Sequence, residues 1–199
     1  MTEFLAVVAA YLLGSMPFGY WVPKLVRGED IRTKGSGNIG ASNVFRVYGR
    51  SLGIPVAALD LAKGFAAASI GLWAGGALVG VLAAAAAMIG HARPVFLRFE
   101  KGGKMVATAG GATFALAPLA AGCCVGVWLV VFALTRYASL ASIATAIGLA
   151  VFVVLFGYPW PIVAFGIAGA AAVIAMHQQN IRRLVSGTEH RFELRRSRV

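Results

Sequence analysis

The sequence predicts an all-α, polytopic membrane protein, and three observations predict it. Hydrophobic residues make up 59% of the 199-residue chain and charged residues only 13%, where a soluble domain carries about 25% charged residues. The apolar residues form continuous runs, not the alternation of a barrel strand. The basic residues collect in only some of the turns between those runs. In a soluble protein the net charge of +11 would suggest nucleic acid. Here it is confined to a few loops and the C-terminus, so anionic lipid head groups and phosphorylated substrates are the expected partners and nucleic acid is not.

One crossing needs about 20 apolar residues, fewer if the helix is short or re-entrant. The first span runs from residue 4 to about 26 and is interrupted by Gly14-Ser15-Met16-Pro17-Phe18-Gly19. Pro17 should kink it, and a broken helix at membrane depth belongs beside a cavity. Glu3 and the lack of an early Lys or Arg mark a retained span, not a cleaved signal. A polar loop follows over 27–52. The second span, 53–73, carries Asp60 and Lys63, which share a helix face and read as a mutual ion pair supporting a site, with direct substrate contact as the second reading. Gly75-Gly76 is a turn and 77–90 the third span. The loop 91–104 is basic. Residues 105–134 hold no charge and contain Pro118, so they split into two short spans near Ala117-Pro118. The sixth span is 140–156, the turn Gly157-Tyr158-Pro159-Trp160-Pro161 follows, and 162–176 is the seventh. Residues 184–199 read as a basic cytoplasmic tail on a single domain of 1–199, with no internal repeat.

The turns after spans two, four and six, and the segment before span one, contain no Lys or Arg. The positive-inside rule then sets the N-terminus outside and the C-terminus in the cytoplasm. Reading 105–134 as one crossing would put Arg136 and the basic tail on the wrong sides, which favours about seven spans. The adjacent Cys123 and Cys124 suit neither an ordinary disulfide nor a metal.

With this topology the polar segments meet on the cytoplasmic side. Gly102-Gly103-Lys104 reads as a nest of backbone N–H groups for an anion, or as a turn with an interfacial lysine. Gly35-Ser36-Gly37-Asn38-Ile39-Gly40 has three glycines in six residues and reads equally as an oxyanion cradle or a flexible turn. Arg46 is a phosphate fork or an inner-leaflet anchor. Ser139 and Ser142 share a helix face, and bonding to their own backbone is the leading reading. His177 and Asn180 also share a face, close to Arg182 and Arg183. Neither His91 nor His177 has an acid five residues on, there is no Walker loop or His-Glu-x-x-His, and acids are too scarce for Mg²⁺. No metal and no cofactor is expected. A carrier for a phosphorylated solute would also place donors on broken helices, but the outer turns are bare of charge. A scaffold protein would leave the clustered loops without a role.

Gly14-Ser15-x-Pro17-Phe18-Gly19-Tyr20 with Gly35-Ser36-Gly37-Asn38-Ile39-Gly40-Ala41-x-Asn43 resembles the first signature of the bacterial acyl-phosphate-dependent glycerol-3-phosphate acyltransferases. Gly90-His91-x-x-Pro94-Val95-Phe96-Leu97 with Gly102-Gly103-Lys104 and Val106-Ala107-Thr108 resembles the second. His177-x-x-Asn180-Ile181-x-Arg183-Leu184-x-x-Gly187-Thr188-Glu189 resembles the third, and Thr135-Arg136-Tyr137-x-Ser139-Leu140-Ala141-Ser142 also fits. Three positions depart: Met105 stands where the family has Gly, Ser42 where Thr is common, and one residue is added near Glu100-Lys101.

The resemblance implies a multi-pass protein of the bacterial inner membrane with its active site facing the cytoplasm. It implies fatty acyl transfer from acyl phosphate to the 1-hydroxyl of glycerol 3-phosphate, giving lysophosphatidate and inorganic phosphate, the first acylation of phospholipid synthesis. Membrane lipids and the upstream acyl-phosphate-forming enzyme are the implied partners. Ser36, Asn38, Lys104 and His177 are the expected catalytic residues. Gly35, Gly37, Ser42, Asn43, Arg46, Gly102, Gly103, Ser139, Ser142 and Asn180 are the expected substrate-binding residues. An acyl phosphate is already activated, so positioning and charge stabilisation could supply most of the rate, with His177 as the fallback base.

Overall fold

Pro17 lacks an N–H and disfavours helix at the residue before it, and the first helix stops there. The computed structural model describes residues 1–192; part of the predicted basic tail, 193–199, lies outside the described residues. Helix α1, Thr2–Ser15, gives way to an extended Met16, and α2, Phe18–Arg27, restarts the chain beyond Pro17. Gly28, left-handed at φ 70°, ends α2.

The polar loop expected over 27–52 contains a helix. Helix α3 spans Ala41–Tyr48 and carries Arg46, between Gly40 and a left-handed Gly49 at φ 75°. Helix α4 spans Arg50–Ala92 and breaks at Gly75 and Gly76. Gly76 is left-handed at φ 71°. Gly71 lies against Val79 and Ala83, and Gly80 against Leu72, so the chain reverses and the arms 50–74 and 77–92 run back along each other. These arms match the predicted second and third spans.

Helix α5, Val106–Leu116, and α6, Pro118–Thr135, divide the uncharged run where expected, with Pro118 at the first position of α6. Helices α7, Ala138–Leu155, and α8, Trp160–Met176, follow. A second short polar helix, α9, Gln178–Val185, is bent 61° from α8.

Four helical segments among the described residues are long and apolar enough to cross a membrane, or five if α8 and α9 count as one; α5 is a shorter apolar helix. Lipid tails are as apolar as the side chains, so association inside a bilayer rests on close packing of small residues. Gly14 of α1 lies on the backbone of Ala87, and Gly64 of α4 on that of Thr108 in α5. A side chain at either glycine would push the helices apart. Leu116, Ala117, Ala120, Val153, Ile162 and Phe165 belong to the main buried core between α5, α6, α7 and α8. The opposite ends of α5, α7 and α8 carry the polar residues.

Candidate active site

The loop before α3 is built around two asparagines. Asn43 Oδ1 accepts the Ser36 N–H at 2.9 Å, and its Nδ2 donates to the carbonyls of Lys34 at 3.0 Å and Asn38 at 2.9 Å. Asn38 Oδ1 accepts the Gly40 N–H at 2.8 Å, and its Nδ2 donates to the Gly102 carbonyl at 3.2 Å. Gly35 and Gly37 hold left-handed φ of 58° and 69°, which permits the tight winding. Both N–H groups of the Asn43 amide are therefore occupied inside the protein, and one of the two on Asn38. They shape the loop and pin it to the next one. The Ser36 and Ser42 side chains remain on the cavity side, with the first turn of α3, whose leading N–H groups have no helical acceptor.

The Gly102-Gly103-Lys104 turn corrects one expectation. The Gly102 N–H donates to Ala92 O at 2.9 Å and the Gly103 N–H to His91 O at 3.0 Å. These groups satisfy carbonyls at the end of α4 and form no anion nest. The glycines serve a close approach: a Cβ on Gly102 would meet His91 O, and one on Gly103 the His91 ring. Pressed on α4 in this way, the turn projects Lys104 toward α9, where its ammonium donates to Asn180 Oδ1. Burial, then the Arg183 charge, push the Lys104 pKa down to about 8; Lys101 and Arg46 act in the same direction and Glu189 opposes them.

Glu189 organises the third group. Its Oε1 accepts from Ser139 Oγ at 2.8 Å and Asn180 Nδ2 at 2.6 Å, and its Oε2 from Arg183 Nε at 2.7 Å. Burial pushes its carboxyl up, but the hydrogen bonds from Asn180, Ser139 and Arg183 outweigh burial and hold the pKa low. Asn180 Nδ2 is thus committed to Glu189, which turns Oδ1 toward Lys104. Ser142 Oγ donates to Ala138 O at 2.7 Å, the backbone bond expected from sequence. His177 Nδ1 lies 2.7 Å from Val173 O. A carbonyl only accepts, so Nδ1 carries hydrogen and the neutral ring keeps a lone pair on Nε2. Arg46 lies 4.9 Å above the Phe192 ring, and its Nε is buried without a hydrogen-bond partner among the described residues. Its pKa is lowered by burial, then raised by Glu189, and the guanidinium stays cationic.

A second cluster lies behind the glycine turn. Lys63 Nζ is 2.8 Å from Met16 O, 2.9 Å from Asp60 Oδ1 and 2.9 Å from His91 Nδ1. An ammonium has three N–H donors, and three acceptors surround it. The contact with Asp60 is a close ion pair rather than an aligned hydrogen bond, since Asp60 Oδ1 meets no hydrogen-bond partner.

A cavity of about 410 Å³ joins these parts. Ser36, Asn38, Ser42, Asn43, Arg46, Lys104, Ser139, Ser142, His177 and Asn180 line it; Gly35, Gly37, Gly102 and Gly103 sit behind the lining. Arg183, Glu189 and His91 also line it and were not expected as site residues. Glu189 carried a usable signal: it is an acid in a basic C-terminal stretch of a chain with only seven acids. From the polar chamber the cavity continues between Val106 and Phe114 of α5, Trp128 of α6, Leu149 of α7 and Phe165 of α8. A cationic, donor-rich chamber thus opens into an apolar lane.

The sequence profile described as glycerol-3-phosphate acyltransferase matches residues 4–187. The chain belongs to the glycerol-3-phosphate acyltransferase family. Glycerol-3-phosphate acyltransferase 2 of Moorella thermoacetica is 45% identical over 188 residues, 94% of this chain and 96% of that protein. The Aquifex aeolicus glycerol-3-phosphate acyltransferase is 44% identical over 194 residues, 96% of this chain and 100% of that protein. Among solved structures, the glycerol 3-phosphate form of PlsY (YgiH), an integral membrane glycerol 3-phosphate acyltransferase, superposes with TM-score 0.93 at 43% identity, covering 97% of this chain and 96% of that one. A lysophosphatidic acid form of PlsY superposes with TM-score 0.88 at 42% identity over the same shares. The protein is accordingly a helical integral membrane acyltransferase of this family, with a role in phospholipid synthesis.

Proposed function

We propose that the protein transfers a fatty acyl group from an acyl phosphate to the 1-hydroxyl of glycerol 3-phosphate, releasing lysophosphatidate and inorganic phosphate. The observation that carries this reading is the two-part cavity. Its chamber presents Lys104 and Arg46 to phosphate groups, and its lane offers apolar surface to a fatty chain. The relatives' names and the two ligand forms of PlsY point the same way.

Lys104, Arg46 and His177 hold glycerol 3-phosphate, with Asn180 orienting Lys104 and Ser142 lining the same chamber. Ser36, Ser42 and the first turn of α3 hold the acyl phosphate and the developing oxyanion. Asn38, Asn43, Gly35, Gly37, Gly102, Gly103 and Ser139 keep those groups in place. The glycerol oxygen attacks the acyl carbon, the carbon–oxygen bond to phosphate breaks, and the leaving phosphate takes its electron pair. The hydroxyl proton passes to a phosphate oxygen, with His177 Nε2 as the alternative acceptor. The donor is already activated, so no covalent enzyme intermediate and no cofactor is needed.

The same reading places the protein in the bacterial inner membrane. The α1–α2 pair, the two arms of α4, and α5, α6, α7 and α8 make seven crossings, some short, with the N-terminus outside and the chamber facing the cytoplasm. Residues 184–199 then form the cytoplasmic tail, and an acyl-phosphate-forming enzyme supplies the donor. The test is acyl transfer by purified protein in detergent without vesicles, given acyl phosphate and glycerol 3-phosphate. Lysophosphatidate is the expected product. No product, with transport of glycerol 3-phosphate after reconstitution, would establish a carrier instead.

A further inference from the structure

The apolar lane has a defined end. Along α8 its lining runs from His177 through Val173 and Gly169 to Phe165. At 1.5 Å per residue, Phe165 lies about 18 Å from His177. Beyond it the lining stops, and Leu116, Ala117, Ala120, Val153 and Ile162 pack as buried core, none more than 7% exposed. Phe165 is itself 5% exposed and belongs to that core. It therefore stands as a floor between the lane and a solid plug.

Gly169 is the gap in the wall above that floor. It lines the cavity, and a Cβ built on it meets only Met88 Cε, at 3.9 Å. It differs from Gly14, Gly64 and Gly111, which are pressed against neighbouring backbone. Gly169 is small without any helix packed upon it. Its missing side chain is cavity space two helical turns from His177.

We infer that Phe165 and Gly169 set the length of the acyl chain the enzyme accepts. The chain's carboxyl end stays in the polar chamber, its methylenes pass Gly169, and its terminal methyl stops on Phe165. This rests on the proposed acyl-transfer reading. Each methylene that fits gains apolar contact, and one that meets Phe165 must bend aside or displace the ring. A missing or extra methylene in such a pocket changes specificity by about tenfold or more.

The experiment compares wild type, Gly169→Leu, Phe165→Leu and Phe165→Ala on a series of saturated acyl phosphates of increasing length. Gly169→Leu fills the lane and should move the optimum to shorter chains, lowering kcat/KM for the longest about tenfold relative to the shortest. The Phe165 variants should move the optimum the opposite way, and Phe165→Leu provides the result if Phe165→Ala does not fold. KM for glycerol 3-phosphate should stay at the wild-type value throughout. A second arm measures thermal protection of the same proteins by lysophosphatidates of graded chain length. It reads the length limit even if no acyl phosphate is a donor, so failure of the donor reading is separable. Length profiles that superpose on wild type in both arms would overturn the inference, since the chain would then leave sideways into lipid.

Discussion

Lys63 and Lys104 are two lysines held within the same bundle, and they do opposite jobs. Lys63 sits among Met16 O and His91 Nδ1, at hydrogen-bond distance, and Asp60 Oδ1, its ion-pair partner. Lys104 has one acceptor, Asn180 Oδ1, and faces the cavity. The first cluster is closed in charge, though Asp60 and His91 also line the cavity: Asp60 matches the ammonium, and the cluster braces α1, both arms of α4 and, through His91, the glycine turn. The second is open: Lys104, Arg46 and Arg183 share Glu189, so the chamber keeps net positive charge and unfilled donors. A buried ion matched by its counter-charge is scaffold, and one with donors left over is waiting for a ligand.

The largest effect should come from opening the closed cluster. Lys63→Met leaves Asp60 buried without its cation, a change that costs about 3–5 kcal/mol. Thermal unfolding in detergent should show it, and adding Asp60→Asn should restore part of the loss. If Lys63→Met is as stable as wild type, the cluster is not the brace described. Lys104→Ala comes next and acts elsewhere. Removing one charged donor from an electrostatic site lowers the rate by about 10²–10³. The protein should stay folded, because Asn180 keeps its bond to Glu189. Near wild-type turnover would remove Lys104 from the site.

Much of this contrast was legible in the sequence, though unevenly. Hydropathy and the breaks at Pro17, Gly75-Gly76 and Pro118 located the apolar helices, because length and prolines are local signals. Helices α3 and α9 were read as polar loop and polar end, since eight polar-faced residues fall below the span signal. The Gly102-Gly103 turn was left open between a nest and a plain turn because a glycine pair permits both conformations. Only the position of His91, eleven residues earlier in sequence than Gly102, decides that the N–H groups point inward. Asn38 was read as a substrate donor, and one of its two amide N–H groups is taken by Gly102 O, a contact 64 residues away. Glu189 closes the third signature but was given no role there, and its partners Ser139 and Asn180 converge only through the fold.

Lys104 also gives the comparison a pH dependence. Its folded pKa is lowered to about 8, so the ammonium is present below pH 8 and lost above it. A neutral amine attracts phosphate less, so kcat/KM for glycerol 3-phosphate should fall about tenfold per pH unit above 8, a limb that reports the free enzyme. The sign follows from a lowered lysine: rising pH removes the charge. Lys104→Arg, which cannot deprotonate, should erase that limb whatever its absolute activity. A limb that survives in Lys104→Arg would belong to another group.

The smallest effect concerns Met105, next to Lys104 and at the start of α5. Its φ of 68° is left-handed, a conformation that costs a residue with a Cβ roughly 1–2 kcal/mol and glycine almost nothing. Glycine is also what the resembling family has there. Yet the Met105 side chain is 8% exposed and packs in the main core, and truncating such a side chain costs about 2–5 kcal/mol. Packing therefore outweighs backbone strain, and Met105→Gly should be less stable than wild type by about 1 kcal/mol, the difference of the low ends of those ranges. Met105→Ala loses the packing and keeps the strain, so it should be the less stable of the two variants. That order is the informative readout: alanine above glycine in thermal unfolding would mean that residue 105 carries no strain, and that its departure from the family residue is a matter of packing alone.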